Sequence, residues 1–196
     1  MNGAAAMPVP AAAVAGSGPS TVVFLHGVGG DRHSWAPQLE VFSRRFRAVA
    51  WDAPGYGASA PLQPMTFPGL AASLLALLDD LEVDKAHLVG QSFGGMIAQE
   101  FAATYPARVR SLVLAATSPA FGRRDGDFQK RFIADRLAPL DAGRSMAELA
   151  EGIIGALVGD DPDPDGRKAA VASMSRVSPD TYRASMLCIV GFDRRD

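Results

Sequence analysis

The sequence has few of the side chains that hold metals or covalent staples. It contains one cysteine, Cys188, and three histidines, His26, His33 and His87. A single thiol makes no internal disulfide, so a disulfide framework is excluded and a reducing, cytoplasmic setting is expected. The thiol lies in the apolar run 186–190, where a small buried filler is the expectation. The histidines form no close pair of the H-E-x-x-H kind, so no metal site is expected. Long hydrophobic runs are missing too: nothing approaches the roughly 18 apolar residues that span a bilayer. Nor is there an excess of one charge, since 19 basic residues against 21 acidic ones leave a net −2. Neither nucleic acid nor a membrane surface is an expected partner, because either would favour a basic face.

What remains is an ordinary globular composition: 196 residues, 48% hydrophobic and 20% charged. A chain of this length buries roughly 70% of its unfolded surface, enough for one sizeable core. Residues 1–20 are rich in Ala, Gly and Pro. They lack the basic n-region of a signal peptide, and Pro8, Pro10 and Gly16 interrupt their apolar stretches. A flexible leader is expected there.

Beyond it, short apolar strands alternate with helices. Thr21 to Leu25, Arg47 to Trp51, Ala86 to Gly90 and Val109 to Ala115 read as strands, each close to turn residues. Helices are expected from Trp35 to Phe46 with Ser34 as cap, from Phe67 to Leu81 with Thr66 as cap, and from Gly94 to Tyr105. The alternation predicts an α/β fold: a mostly parallel sheet with helices on both faces. This core is expected over 21–119. After Ser118-Pro119 the texture changes. Residues 122–131 are charged, and helical patches follow at about 127–137, 145–157, 164–177 and 179–190. This block, 120–191, is expected to be a helical cap or lid. The acidic stretch 160–166 reads as a helix-capping loop, because its two prolines and ligand spacing do not suit an EF-hand.

The chemistry is carried by Gly90-Gln91-Ser92-Phe93-Gly94-Gly95, which matches G-x-S-x-G between a strand and a helix. A nucleophile in this setting sits on a sharp, strained turn. Gly90 and Gly94 remove the Cβ atoms that would collide there. Ser92 is the expected nucleophile. The helix that follows aims its N-terminal amides at the same point, so the Phe93 N–H is an expected oxyanion donor. A second donor is expected from the glycine loop after the first strand, His26-Gly27-Val28-Gly29-Gly30. Val28 N–H is the leading candidate, with His26, Gly27 and Gly29 supporting the loop. Trp35, Phe93, Met96 and the helical lid are expected to line an apolar substrate pocket. Gly55 to Ala60 also matches the dinucleotide pattern G-x-G-x-x-A, but Asp52-Ala53-Pro54 precedes it and Pro61 follows, so no helix opens there.

These pieces, VVFLHGVGG at 22–30, WDAPGYGAS at 51–59, HLVGQSFGGMIAQEFAATYP at 87–106 and RVRSLVLAATSP at 108–119, resemble the α/β-hydrolase family in order and spacing. Within it the chain is most similar to small esterases and lactonases of the 3-oxoadipate enol-lactonase kind, and to carbon–carbon bond hydrolases of aromatic-ring breakdown. The resemblance implies hydrolysis of a small-molecule ester or lactone through an acyl-enzyme, with no metal or organic cofactor. Haloalkane dehalogenation would need an aspartate at position 92. The resemblance also implies a triad in the chain order Ser, Asp or Glu, His. Here no histidine follows Ser92. The sequence is therefore expected to be a C-terminally truncated form, with 192–196 as tail, the final strands absent and the opening hairpin weak. Its activity is expected to be impaired, or it is a non-catalytic binder of the same fold. His33 is expected to be a solvated loop histidine, with an approach to the pocket mouth as the alternative. His26 and Asp52 are expected to brace loops, and His87 to sit at the far end of its strand.

Overall fold

The structure, a computed structural model, describes residues 7–122 and 126–195. Residues 1–6 of the expected leader, part of the charged stretch at 123–125, and residue 196 lie outside them.

Five strands form one sheet in the order β1-β3-β2-β4-β5. They are β1 Ala12–Ala15, β2 Thr21–Leu25, β3 Arg47–Trp51, β4 Ala86–Gln91 and β5 Val109–Ala115. All neighbours are parallel except β1, which runs antiparallel to β3. The expected parallel sheet is present. The expected leader, by contrast, contributes an edge strand. Its register pairs Ala12 with Trp51 and Ala15 with Ala48. The Ala11 N–H donates to Ser59 Oγ at 2.9 Å, and the Ala11 carbonyl accepts from Asp52 N–H at 2.7 Å. Pairing with a buried neighbour, rather than β-propensity, makes this alanine-rich segment a strand.

Alternate residues of the central strands feed two apolar layers. Val22, Phe24, Ala48 and Ala50 pack under Leu39 and Phe42 of α1 (Ala36–Phe42). Val23, Leu25, Val49 and Trp51 pack with Leu70 and Leu74 of α2 (Phe67–Asp80) and Ile97 and Phe101 of α3 (Phe93–Thr104). Helices thus cover both faces.

Local capping explains where the helices begin. Thr66 Oγ1 accepts from Gly69 N–H, as expected, and Pro68 sits in the first turn of α2. The first helix differs from expectation. A 3₁₀ turn, Arg32–Trp35, precedes α1, and Asp31 is its cap. Ser34, the expected cap, is the reciprocal partner in that box, accepting from Asp31 N–H at 3.1 Å.

Four helices follow β5: α4 Asp127–Asp141, α5 Met146–Gly155, α6 Pro164–Ser175 and α7 Pro179–Ile189. Helix α5 packs on α6, and α4 on α7. After α7 the chain returns to the end of β5. Phe121 N–H donates to the Phe192 carbonyl at 3.0 Å, and Arg194 N–H to the Pro119 carbonyl at 2.7 Å. The expected tail is therefore bound to the core, and Phe192 is buried against Phe67. Among the described residues no helix is long and apolar enough to cross a membrane.

Candidate active site

Ser92 stands between the end of β4 and the first turn of α3, with φ 53° and ψ −116°. A non-glycine residue at positive φ is strained, and such strain survives only where its surroundings hold it. Here they do. Ser92 N–H donates to the Ala115 carbonyl at 2.9 Å, and the Ser92 carbonyl accepts from Thr117 Oγ1 at 2.8 Å and Gly95 N–H at 2.9 Å. A side chain at Gly90 would lie 2.5 Å from the Gly94 carbonyl oxygen and 2.6 Å from the Gly95 Cα. One at Gly94 would strike the Leu25 carbonyl oxygen. The crossing of β2, β4 and α3 is possible only with glycine at both positions.

The loop after β2 faces this turn. A Cβ placed on Gly27 would come within 3.3 Å of the Ser92 Cβ. Among the described residues, neither the Phe93 nor the Val28 N–H has a hydrogen-bond acceptor. The first belongs to the unpaired amides that open every helix. The second lies on the wall of a cavity of about 340 Å³ that it shares with Ser92, Phe93 and Met96. Two donors, a hydroxyl and a cavity therefore lie together.

His26 holds the loop from below. Its ring is buried, with Nδ1 2.8 Å from the Gly27 carbonyl and Nε2 3.0 Å from Ala53 N. A backbone N–H only donates, so Nε2 accepts and the proton sits on Nδ1, where it donates to Gly27. The ring meets Tyr56 edge-on at 4.9 Å. Burial pushes its pKa below the ordinary 6.5, outweighing Gly27, Asp52 and Asp31, which pull the other way. A neutral imidazole with both nitrogens engaged braces the loop. Asp52 is engaged likewise. It is buried and accepts from Arg32 N–H and Nη1, both at 2.7 Å, and from Ala58 N–H at 2.9 Å. His87 lies near the start of β4, away from Ser92, with Nδ1 2.8 Å from Ser111 Oγ. His33 is exposed on the 3₁₀ turn, its N–H donating to Asp31 at 2.8 Å.

Trp35 is not on the Ser92 cavity. It packs against Phe24 at 5.0 Å and lines a neighbouring cavity of about 370 Å³ with His26 and Gly30. The two cavities share Gly27, Val28, Gln91 and Leu157 as walls. Gly29, at φ +86°, lies against Met174 of α6, and a Cβ there would meet its sulfur at 2.6 Å. Cys188 is half-buried, and burial pushes its thiol up to about 12. It is inert as a nucleophile at neutral pH.

The sequence pointed to the helical lid as the roof of the Ser92 cavity but not to the residues that form it. Tyr182, Met186 and Ile189 of α7 line it, as do Phe132 and Arg136 of α4. The α7 trio was legible in principle, since spacings of four and three put it on one helical face. The α4 pair carried no such signal. Two contacts fix α7 over the core, with Tyr56 OH 2.7 Å from Ser185 Oγ and Thr181 Oγ1 donating to the Gly55 carbonyl at 2.9 Å, and a third, Arg183 with Asp141 at 2.6 Å, ties it to α4.

Comparison with known proteins agrees with this fold. A family model described as alpha/beta hydrolase fold matches residues 20–182. The chain is 38% identical over 120 residues to the dihydrolipoyllysine-residue acetyltransferase component of an acetoin cleaving system from Pseudomonas putida, a match covering 61% of this chain and 32% of that protein. It is 31% identical over 105 residues to 3-oxoadipate enol-lactonase 1 from Acinetobacter baylyi, covering 54% of this chain and 40% of the relative. These matches span less than half of either relative. The crystal structure of an enol-lactonase from Burkholderia xenovorans superposes with a TM-score of 0.83 at 23% identity, covering 94% of this chain and 71% of the other.

Proposed function

Because the chain belongs to the alpha/beta hydrolase fold family, we propose that Ser92 is the nucleophile of a hydrolase acting on a small carboxylic ester or lactone. The observation that carries this reading is the positive-φ serine at the head of α3, beside the unpaired Phe93 and Val28 amides and open to one cavity. Ser92 Oγ adds to the acyl carbon while its proton passes to a base. The developing oxyanion accepts from the two amides. The carbonyl re-forms as the alkoxide leaves with a proton, and water then releases the acid from the acyl-enzyme. The helical block α4–α7 is read as the lid that closes the cavity. The kinship to an enol-lactonase supports the substrate class.

All three histidines precede Ser92. His26 has both nitrogens committed, and His87 lies at the wrong end of β4. The second reading is a ligand-binding protein on the same fold.

The test is p-nitrophenyl acetate turnover with intact-mass detection of an acyl adduct, beside Ser92→Ala. A Ser92-dependent adduct supports the hydrolase, and turnover with it makes His33→Ala the next variant. No adduct and no difference from Ser92→Ala overturns the hydrolase in favour of the binder.

A further inference from the structure

The wall of the Ser92 cavity is almost wholly apolar or uncharged. Among the described residues that line it, Arg136 alone is charged. It is half-buried on α4, at the border between this cavity and an outer groove lined by Asp135, Arg144 and Glu148. Its guanidinium carbon sits 5.5 Å from the centre of the Phe132 ring, which orients the plane. The Tyr182 hydroxyl, which arrives from α7, lies close enough to interact with it. Among the described residues no carboxylate pairs with it, although eight side-chain carboxylates do take an arginine partner. A guanidinium has five N–H donors in a flat fork that matches a carboxylate. Tyr182 and Phe132 hold this fork in place without neutralising it.

We propose that Arg136 is an anion subsite of the Ser92 cavity, and that the substrate is an ester or lactone carrying a second carboxylate remote from the reacting carbonyl. At about 340 Å³ the cavity is at the small end of the range for ligand pockets, roughly 300–1,000 Å³, so a compact molecule would reach both ends. A charged anchor on the cavity wall fixes which end of such a molecule meets Ser92. It also disfavours neutral analogues, which would leave the half-buried guanidinium unpaired. The substrate half of this proposal rests on the Ser92 reading, and the anion half does not.

The test is calorimetric titration of the full chain with adipate and with adipamide, its uncharged counterpart. Adipate is expected to bind about tenfold tighter or better, from charge-assisted hydrogen bonds. Arg136→Gln is expected to remove that preference, and Arg136→Lys, which keeps the charge but loses the fork, to restore part of it. Equal affinity for the two compounds, no binding of adipate, or an Arg136→Gln variant that still prefers adipate overturns the subsite. A second measurement follows labelling of Ser92 by a fluorophosphonate. Adipate is expected to slow labelling in the native chain and to do so about tenfold less effectively in Arg136→Gln. If Ser92 takes no label while adipate binding still depends on Arg136, the nucleophile reading fails and the subsite stands. If labelling proceeds unhindered under saturating adipate, the anion binds elsewhere and the proposal fails.

Discussion

The Ala53 amide donates to Nε2 of His26 across 3.0 Å, and this one contact decides the state of the ring. It leaves the proton on Nδ1, aimed at the Gly27 carbonyl, so the end of β2 and the end of β3 are tied through a neutral imidazole. Replacing the ring with Phe strands one buried donor and relieves the carbonyl of a partner. His26→Phe is expected to cost about 2–4 kcal/mol in urea unfolding and to reduce fluorophosphonate labelling of Ser92, because the loop bearing Val28 loses its brace.

The same ring predicts a pH dependence. Its folded pKa is lowered from 6.5 by burial, so below 6.5 the unfolded chain takes up a proton that the folded chain refuses. Stability is then level above 6.5 and falls as pH drops from 6.5 toward the folded pKa. Asp31 behaves in the same direction but lower on the scale. Burial pushes its carboxyl up, yet Arg176 and the His33 amide outweigh burial and hold it below 3.8, so its loss begins only below that value. Melting temperatures taken between about pH 8 and pH 5 should decline in the native chain and decline less in His26→Phe.

Glycines at the elbow and in the helical block should respond in opposite ways to one methyl group. Gly90→Ala drives a Cβ to 2.5 Å from backbone, which cannot yield as a side chain would. A loss of about 1–3 kcal/mol or more is expected, together with loss of Ser92 labelling. Gly152 lies within α5 and has nothing within 4 Å of its would-be Cβ. Gly152→Ala is expected to stabilise by about 0.5–1 kcal/mol through helix propensity and leave labelling alone. Thermal melts of the two variants decide it.

The elements differ in how far they could be read in advance, and the reason is physical. Strands β2, β3 and β5 have the bounds expected of them, because each is a short run rich in β-branched and apolar residues that ends just before turn residues. The elbow was legible because its glycines are required by close approach of backbone to backbone. Strand β1 was not, because Ala12–Ala15 carries no strand signal of its own and is recruited by the edge of β3. Arg136 was not legible either. It is one arginine on a charged helix until α4 packs beside α7 and turns that face toward Ser92.

Glu100 and Arg194 should be unequal partners. The Glu100 side chain on α3 is 4% exposed and accepts from Arg194 Nε at 2.7 Å and Nη2 at 2.5 Å, while Arg194 is 40% exposed. Removing the arginine leaves a carboxylate buried without its cation. Neutralising the glutamate leaves a cation that can turn to water. Arg194→Ala is therefore expected to cost about 2–4 kcal/mol, discounted for the exposure of the arginine, and Glu100→Gln less. Urea midpoints in that order support the argument. Equal losses would mean that the pair contributes packing alone.

Strand β5 is the last in the sheet order, and it shows apolar side chains to solvent: Val113 is 52% and Leu114 43% exposed. An edge of this kind offers unpaired backbone groups next to apolar surface, which is a template for pairing with another chain. The opposite edge is better guarded, because β1 is only Ala12–Ala15 and is flanked by Pro10 and Gly16. Association of the chain as given should therefore run through β5. Light scattering is expected to rise with concentration, and Val113→Lys is expected to suppress that rise while leaving the melting temperature nearly unchanged, since an exposed site away from the core moves stability by no more than about 0.5 kcal/mol. Val14→Lys on β1, also an exposed valine, serves as the control. If both lysines suppress scattering equally, net charge rather than the β5 edge governs association. If only the β5 substitution works, the edge is the adhesive surface.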